Sequence, residues 1–389
     1  MSKRLTAAQI GCGKFATSND FPNLTQHPDV DLKWACDINL DNARRVAGEF
    51  GVPQVTSDFM DIVKDPQVDF IKIATTHEVH LPIIEAAAAA GKHIFCEKPM
   101  AMVDTEAYRI IRAVRKAGIK LCVDFNRRMS PALQALRAKW KAHAANPQHN
   151  PWQYIEVKRA PLAEENLAHL NIRIQDESAS YGVGHLDPLH GGGLIIGETV
   201  HWLDLACWFF DPLLPERITA WGSSRLSHGL NLRFQGGANM TLDFSCSGTF
   251  DFPKELYEVT HNAALFRSLA FVENNYYGMP DNGTEYFPLQ ADGHPELGEG
   301  FAAYMAKYQR RTKEVTDLKS AEDAVPFKPD KGHRAMLDAF VKAIQNDTPS
   351  PCDELAGFRA TYLAQRCIQA MELGQTLPIP LEKITPVFC

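Results

Sequence analysis

The string Gly11-Cys12-Gly13-Lys14-Phe15-Ala16 follows a short apolar run and has the G-x-G-x-x-A spacing that suits a dinucleotide. Gly11 permits a tight turn, Gly13 lets backbone N–H groups approach a pyrophosphate at a helix N-terminus, and the small Ala16 allows close helix–strand packing. Cys12, Lys14 and Phe15 complete the string and are counted with it as cofactor-binding. Asp37 closes the second apolar run about 20 residues further on, where an acid accepts from a ribose 2′-hydroxyl. A carboxylate there would repel a 2′-phosphate, and the following Ile38-Asn39 offers no arginine to neutralise one, so NAD is expected over NADP. The competing reading is that Asp37 only caps the helix starting near Leu40, which suits either cofactor.

A second candidate is Lys98, in HIFCEKPM. It stands at the carboxyl end of a strand, where doubly wound sheets bind ligands, and Pro99 disfavours helix at Lys98. In hydride transfer from a secondary alcohol, a cation there would stabilise the developing oxyanion while a nearby base takes the hydroxyl proton. A solvated lysine at a strand end is the bland alternative. Glu198, His201 and Asp204 interrupt the apolar stripe of GLIIGETVHWLDLACWFF. A histidine inside such a helix is more often a hydrogen-bonded core residue than a base.

The elements that must position these residues can be read from hydrophobic period. TAAQIG, VDLKWACD, VDFIKIATT, KHIFCEK and IKLCVDFN read as strands, separated by helical patterns such as NLDNARRVAGEF, EVHLPIIEAAAAAGK and TEAYRIIRAVRKAG. Alternating strands and helices imply βαβ units and a parallel sheet covered on both faces, so residues 1–126 are expected to form a doubly wound nucleotide-binding domain. After it come a helix in PALQALRAKWKAHAA, a strand QYIEVKRA, and a polar stretch of uncertain structure up to Gly191. Then follow the helix carrying His201 and the strand-like segments RITAWGS, LNLRFQ, ANMTLDFSC, LYEVTHN and SLAFVEN. Strands without intervening helices imply a largely antiparallel open sheet, so residues 127–389 are expected to form an α/β substrate domain. Its final helices, GHRAMLDAFVKAIQN and ELAGFRATYLAQRCIQAMELG, could pack back on the first.

At 389 residues, the chain suits two or three domains of roughly 150 residues each. Forty Lys and Arg against 47 Asp and Glu give a net charge of −7, which argues against a general nucleic-acid binder. No run approaches the ~20 apolar residues that cross a bilayer, and no signal-peptide core is evident, so no membrane partner is expected and the chain reads as soluble and cytoplasmic. Nine scattered cysteines without a C-x-x-C pair read as small buried hydrophobes, and no metal is expected.

Read as a whole, the glycine string, ATTHEVHLP, CEKP, FNRRMSP, GGGLIIGETVHWLD, FPKELYEV and KGHRAMLDAFVKAI resemble, in that order, the Gfo/Idh/MocA oxidoreductases. The resemblance implies a Rossmann domain, a second α/β domain whose open sheet forms a homodimer or homotetramer interface, and NAD(P)-dependent chemistry on sugars, inositols or their derivatives. It makes Lys98 the catalytic lysine and His201 the histidine of the family's D-x-x-x-H helix motif, a candidate base with an ordinary pKa of ~6.5. The motif's aspartate falls on Gly197, and the acid appears one place later as Glu198. On a helix at about 100° per residue, both positions lie about 40° to 60° from His201, so Glu198 could reach the same pocket. Asp204 is read as a structural partner.

By the same resemblance Thr75, Thr76, His80, Glu97 and Asn126 border the cofactor, Thr75 and Thr76 equally fitting a simple helix cap. Arg127 and Arg128 close the last Rossmann strand, with Arg128 counted as substrate-binding, and Lys158 and Arg159 end a strand of the second domain where a basic substrate residue is common. The segment between Arg159 and Gly191, with His169, Arg173, Tyr181, His185 and His190, reads as a substrate-specific lid or subunit arm. His185 is counted with the substrate residues, and the aromatics of VENNYYGMPDNGTEYF either line the opposite wall or form an exposed loop.

Three functions compete. The first is reversible hydride transfer between NAD and a ring hydroxyl of a sugar, cyclitol or glycoside. The second is an NAD-dependent glycosidase that oxidises a sugar transiently, eliminates the aglycone, adds water and returns the hydride. The third, a non-catalytic dinucleotide sensor or scaffold, is weakened by the presence of both Lys98 and His201.

Overall fold

The parallel-sheet pattern is realised in the computed structural model, which describes residues 4–147, 167–176, 183–187, 190–248, 252–290, 299–306 and 328–385. Six strands, β1 (Leu5–Ile10), β2 (Val30–Cys36), β3 (Gln54–Thr56), β4 (Phe70–Ile73), β5 (His93–Cys96) and β6 (Leu121–Val123), pair in parallel in the order β3-β2-β1-β4-β5-β6. Strand order reverses between β1 and β4, which opens a crevice at their carboxyl ends. β4 and β6 are buried at every residue, as expected of strands covered on both faces. The helices on those faces follow local signals. Asn39 caps the helix Leu40–Phe50 by accepting from the Asp41 N–H, and the left-handed Gly51 ends it.

The second sheet contains β7 (His169–Gln175), β8 (Pro215–Gly222), β9 (His228–Phe234), β10 (Asn239–Ser245), β11 (Glu255–His261), β12 (Ala264–Leu269), β13 (Glu273–Tyr277) and β14 (Gly283–Tyr286). A small separate pair, β15 (Leu289–Gln290) with β16 (Lys328–Pro329), precedes the edge strand β17 (Leu377–Pro378). The nine-stranded order is β14-β13-β12-β11-β7-β10-β9-β8-β17, antiparallel throughout except for β7 beside β10.

Two local readings are corrected. Part of the stretch read as a polar lid is β7, in the middle of the sheet, because HLNIRIQ alternates and buries Leu170, Ile172 and Ile174. The aromatics of VENNYYGMPDNGTEYF stand on the edge hairpin β13–β14, where Tyr277 and Tyr286 are exposed. The expected strand QYIEVKRA, with Lys158 and Arg159, and the side chain of His185 lie outside the described residues.

The late helices return to the first sheet. On His333–Gln345, the Phe340 ring lies 5.8 Å from Phe70 and 5.4 Å from Phe95. On Glu354–Leu373, Phe358 lies 4.6 Å from Tyr108, and Thr361 Oγ1 donates to the Ala101 carbonyl. Gly332, at φ +88°, begins the first of these helices so close to the Asn126–Met129 turn that a Cβ would fall 2.4 Å from the Asn126 oxygen. Among the described residues no helix is long and apolar enough to cross a membrane, and eight cysteines are buried and unpaired.

Candidate active site

The crevice begins where β1 ends. Gly11 has φ +97°, and a Cβ there would lie 2.1 Å from the Ala74 oxygen, so the turn after β1 admits only glycine against the turn after β4. Gly13 is exposed, with nothing within 4 Å of where its Cβ would be. It precedes the helix that starts at Lys14 and runs through a π-turn, Ala16–Asp20. The first amides of a helix have no intrahelical acceptor, which makes this opening a cradle for an anionic group. Ala16 is buried, while Lys14 and Phe15 are exposed.

Asp37 does not cap the helix that follows it. Its Oδ2 accepts from the Cys12 N–H at 2.9 Å and its Oδ1 from the Asn39 N–H at 2.9 Å, tying the carboxylate to the glycine turn, while Asn39 caps the helix. Asp37 remains partly exposed beside Ile38, which is almost fully exposed. The thiol of Cys12 is pushed up to about 12 by burial and by Asp37. An exposed glycine amide edge with a carboxylate one strand away fits the pyrophosphate and ribose of NAD.

Lys98 follows β5. Its Nζ donates to the Gly197 carbonyl at 2.7 Å and to Glu198 Oε1 at 2.6 Å, and both side chains are largely buried. Glu198 stands in a π-turn, Ile195–Thr199, that precedes the helix Val200–Phe210. The regular helical geometry that would set Glu198 beside His201 therefore does not hold there. The carboxylate bridges two ammonium groups, with Lys254 Nζ 3.5 Å from Oε2, and Lys254 also pairs with Asp176 at 2.5 Å. Burial raises the Glu198 carboxyl, but Lys98 and Lys254 outweigh it and hold the group well below the usual carboxylate range.

His201 is buried, 5.9 Å from the Phe125 ring, and its Nδ1 has no hydrogen-bond partner among the described residues. Burial, then the charges of Arg127 and Lys98, hold the imidazole well below its ordinary range, so it is neutral near pH 7.

The two arginines after β6 are committed to the second sheet's lobe. Arg127 binds Glu255 through Nε and Nη2 at 2.7 and 2.8 Å, and Lys331 joins the same carboxylate at 2.7 Å. Arg128 binds both oxygens of Asp204, through Nε at 2.6 Å and through Nη2. Asn126 is buried, donating Nδ2 to the Lys331 carbonyl at 2.8 Å, with its Oδ1 unpartnered among the described residues.

Other residues expected at the cofactor lie behind the crevice. His80 is fully buried with Nδ1 2.9 Å from the Pro99 carbonyl, bracing the turn that carries Lys98. Glu97 bonds Lys72 at 2.6 Å, and Lys72 also meets Asp124 at 3.1 Å and Asp20 at 3.4 Å. These three carboxylates could converge on a metal ion, but the buried Lys72 ammonium lies among them. Burial pushes the Glu97 carboxyl up against the pull of Lys72. Thr75 and Thr76 remain accessible on the turn after β4. Of the residues now found at the site, sequence reasoning gave no role to Lys254, Asp176 or Lys72.

Residues 5–125 match the family described as oxidoreductase family, NAD-binding Rossmann fold. The uncharacterized oxidoreductase YrbE of Bacillus subtilis is 34% identical over 393 aligned positions, covering 98% of each chain. The D-glucoside 3-dehydrogenase of Escherichia coli is 23% identical, covering 96% of this chain and 97% of the relative. Among solved structures, a levoglucosan dehydrogenase in complex with NADH and L-sorbose superposes with a TM-score of 0.75 at 18% identity, covering 97% of this chain and 99% of that one.

Proposed function

The chain belongs to the Gfo/Idh/MocA oxidoreductase family, and from that premise we propose that it reversibly oxidises one ring hydroxyl of a sugar, cyclitol or glycoside. It is an NAD-dependent dehydrogenase of the sugar and cyclitol type. NAD, when bound, supplies the hydride acceptor.

The observation that carries the reading is the anchoring of Lys98. An ammonium has three donors. Two are fixed on the Gly197 carbonyl and Glu198, which leaves one for a substrate oxygen and holds the cation where negative charge develops as the hydroxyl proton leaves. His201, kept neutral and with its Nδ1 unpartnered among the described residues, accepts the hydroxyl proton. Glu198 serves this chemistry as the anchor of Lys98. The glycine string and Asp37 hold the dinucleotide, and Thr75 and the exposed Phe15 border it. Asp204 commits Arg128 to positioning the turn after β6. The open face of the second sheet serves a homodimer or homotetramer.

The test is a screen of polyols, sugars and aryl glycosides with NAD, following NADH and aglycone release together. Stoichiometric NADH without cleavage is the expected result. Aglycone release without net NADH, with solvent deuterium entering the sugar, would establish the glycosidase instead.

A further inference from the structure

Side chains alternate along a strand, so Lys72 lies on the same face of β4 as Phe70. Phe70 packs on Phe340, as an interior position of a covered sheet requires, but Lys72 brings an ammonium into that layer with its side chain only 1% exposed. Withdrawing such a charge from water is costly, and apolar side chains of similar volume commonly replace buried ion pairs without loss of stability. Stability alone therefore gives no reason for a lysine here. Its contacts supply another. Nζ lies 2.6 Å from Glu97 Oε1, 3.1 Å from Asp124 Oδ2 and 3.4 Å from Asp20 Oδ1, and 4.1 Å from the centre of the Phe95 ring. Burial works to discharge the ammonium, but the three carboxylates outweigh it and hold the group well above the ordinary lysine range.

The three carboxylates belong to three different parts of the crevice. Glu97 is covalently joined to Lys98. Asp124 leads from β6 into the turn Asn126–Met129, and its Oδ2 also stands 3.6 Å from Nδ1 of His333, whose ring meets Phe15 at 5.8 Å. Asp20 ends the π-turn of the helix that opens at the glycine string. Gln9, which pairs with Lys72 across β1 and β4, adds a bond from Nε2 to the Gly11 carbonyl at 3.1 Å. Among the described residues no other lysine or arginine pairs with any of these three acids.

We propose that Lys72 is a positioning residue for hydride transfer: from behind the crevice it fixes the turn carrying Lys98 against the glycine string, and so the oxyanion donor against the nicotinamide. This rests on the oxidoreductase reading above. β4 separates β1 from β5, so no backbone pairing joins the two turns directly. The anchors of Lys98, the Gly197 carbonyl and Glu198, come from the other lobe. Within the first domain, the side-chain link between the two turns runs through the Lys72 ammonium. Its three protons can each meet one of three carboxylates arriving from different directions, which a planar guanidinium would not match. Hydride transfer requires the reacting atoms about 3 to 3.5 Å apart, and a misplacement of about 1 Å costs on the order of a hundredfold. A residue that sets this spacing without touching either ligand acts on kcat far more than on binding.

The experiment uses the full chain with NAD and the best substrate of the screen. It measures kcat, KM, NAD affinity by fluorescence titration, the urea midpoint, and the isotope effect on kcat with deuterium at the reacting carbon. In Lys72→Met, kcat is expected to fall by about ten- to a hundredfold while KM and NAD affinity stay within about threefold, and the isotope effect should rise toward its intrinsic value. A purely structural residue would lower the urea midpoint and leave kcat per folded molecule unchanged. Glu97→Gln should lose a similar factor, and Lys72→Met with Glu97→Gln no more than either alone, because both cut the same link. The double variant also removes one stranded carboxylate, so it carries the test where Lys72→Met alone does not fold. A kcat within about threefold of wild type in the folded variants, losses that multiply, or an isotope effect below that of wild type overturns the positioning role while wild-type turnover keeps the oxidoreductase reading intact. Absence of NADH formation by the wild type with every compound of the screen overturns both.

Discussion

Replacing Lys98 by Met keeps most of the side-chain volume and removes only the charge and its donors. Two consequences separate. For catalysis, the lost group is the donor left over after Gly197 and Glu198 have taken theirs, and deleting one oxyanion donor lowers kcat by about 10² to 10³. The charge itself is also lost, so turnover of the preferred polyol is expected to fall by at least ~10³. Glycine-turn geometry and Asp37 are untouched, so NAD should bind within about threefold of wild type, a change no larger than one hydrogen bond. For stability, Glu198 is left largely buried with, among the described residues, only the 3.5 Å contact to Lys254, and losing a charged hydrogen bond costs about 2 kcal/mol. Lys98→Met with Glu198→Gln should recover most of that stability and none of the turnover. The assays are initial rates of NADH formation, NAD titration by protein fluorescence, and urea unfolding at neutral pH. Turnover of the folded single variant within about tenfold of wild type would remove Lys98 from the chemistry, because even one lost oxyanion donor costs more.

Asp37→Ala should weaken NAD more than NADP in equilibrium titrations; equal weakening would reduce Asp37 to its bonds with the Cys12 and Asn39 amides. His80 is depressed to about 4, chiefly by burial, so it contributes stability that is present above the unfolded value of about 6.5 and lost as pH falls through about 4. That amounts to roughly 3 kcal/mol, and urea midpoints between those pH values should fall less steeply for His80→Gln. Asp204→Ala should destabilise the protein by about 3 to 5 kcal/mol by stranding Arg128, and pairing it with Arg128→Leu should recover much of the loss in the same unfolding assay.

What the sequence disclosed depended on how local the signal is. The glycine string, the strand before it and Asp37 lie within 33 residues of one another, counting from Leu5 to Asp37, and each has its own chemical reason. The partner of Lys98 was not readable that way. Glu198 lies 100 residues further along the chain, and whether it faces His201 or Lys98 depends on a π-turn that no residue pattern announces. The alternation of Leu170, Ile172 and Ile174 was visible in HLNIRIQ, but the asparagine and arginine between them made a central strand read as a polar loop. Lys72 shows the same limit in the opposite sense. Nothing in FIKI announces a partner for its lysine, yet it is fully buried because Asp20, Glu97 and Asp124 arrive from three separate turns.

The ion pairs also explain why net charge says so little about the substrate. Lys98, Arg127 and Arg128 all follow strands of the first sheet, and each is met by a carboxylate from the other lobe: Glu198, Glu255 and Asp204. Buried pairs of this kind are poor sources of net stability compared with apolar packing, but breaking one is expensive, so they fix how the two lobes meet. The arginines consume themselves in that role through two-point contacts that leave their charge answered. A lysine ammonium is not planar and is not exhausted by one carboxylate, so Lys98 can be anchored to the second lobe and still offer a donor to a substrate oxygen. Arginine at position 98 would carry the same charge into the crevice, but its longer, planar fork would pair with Glu198 as Arg128 pairs with Asp204 and leave no compact donor at the reacting carbon.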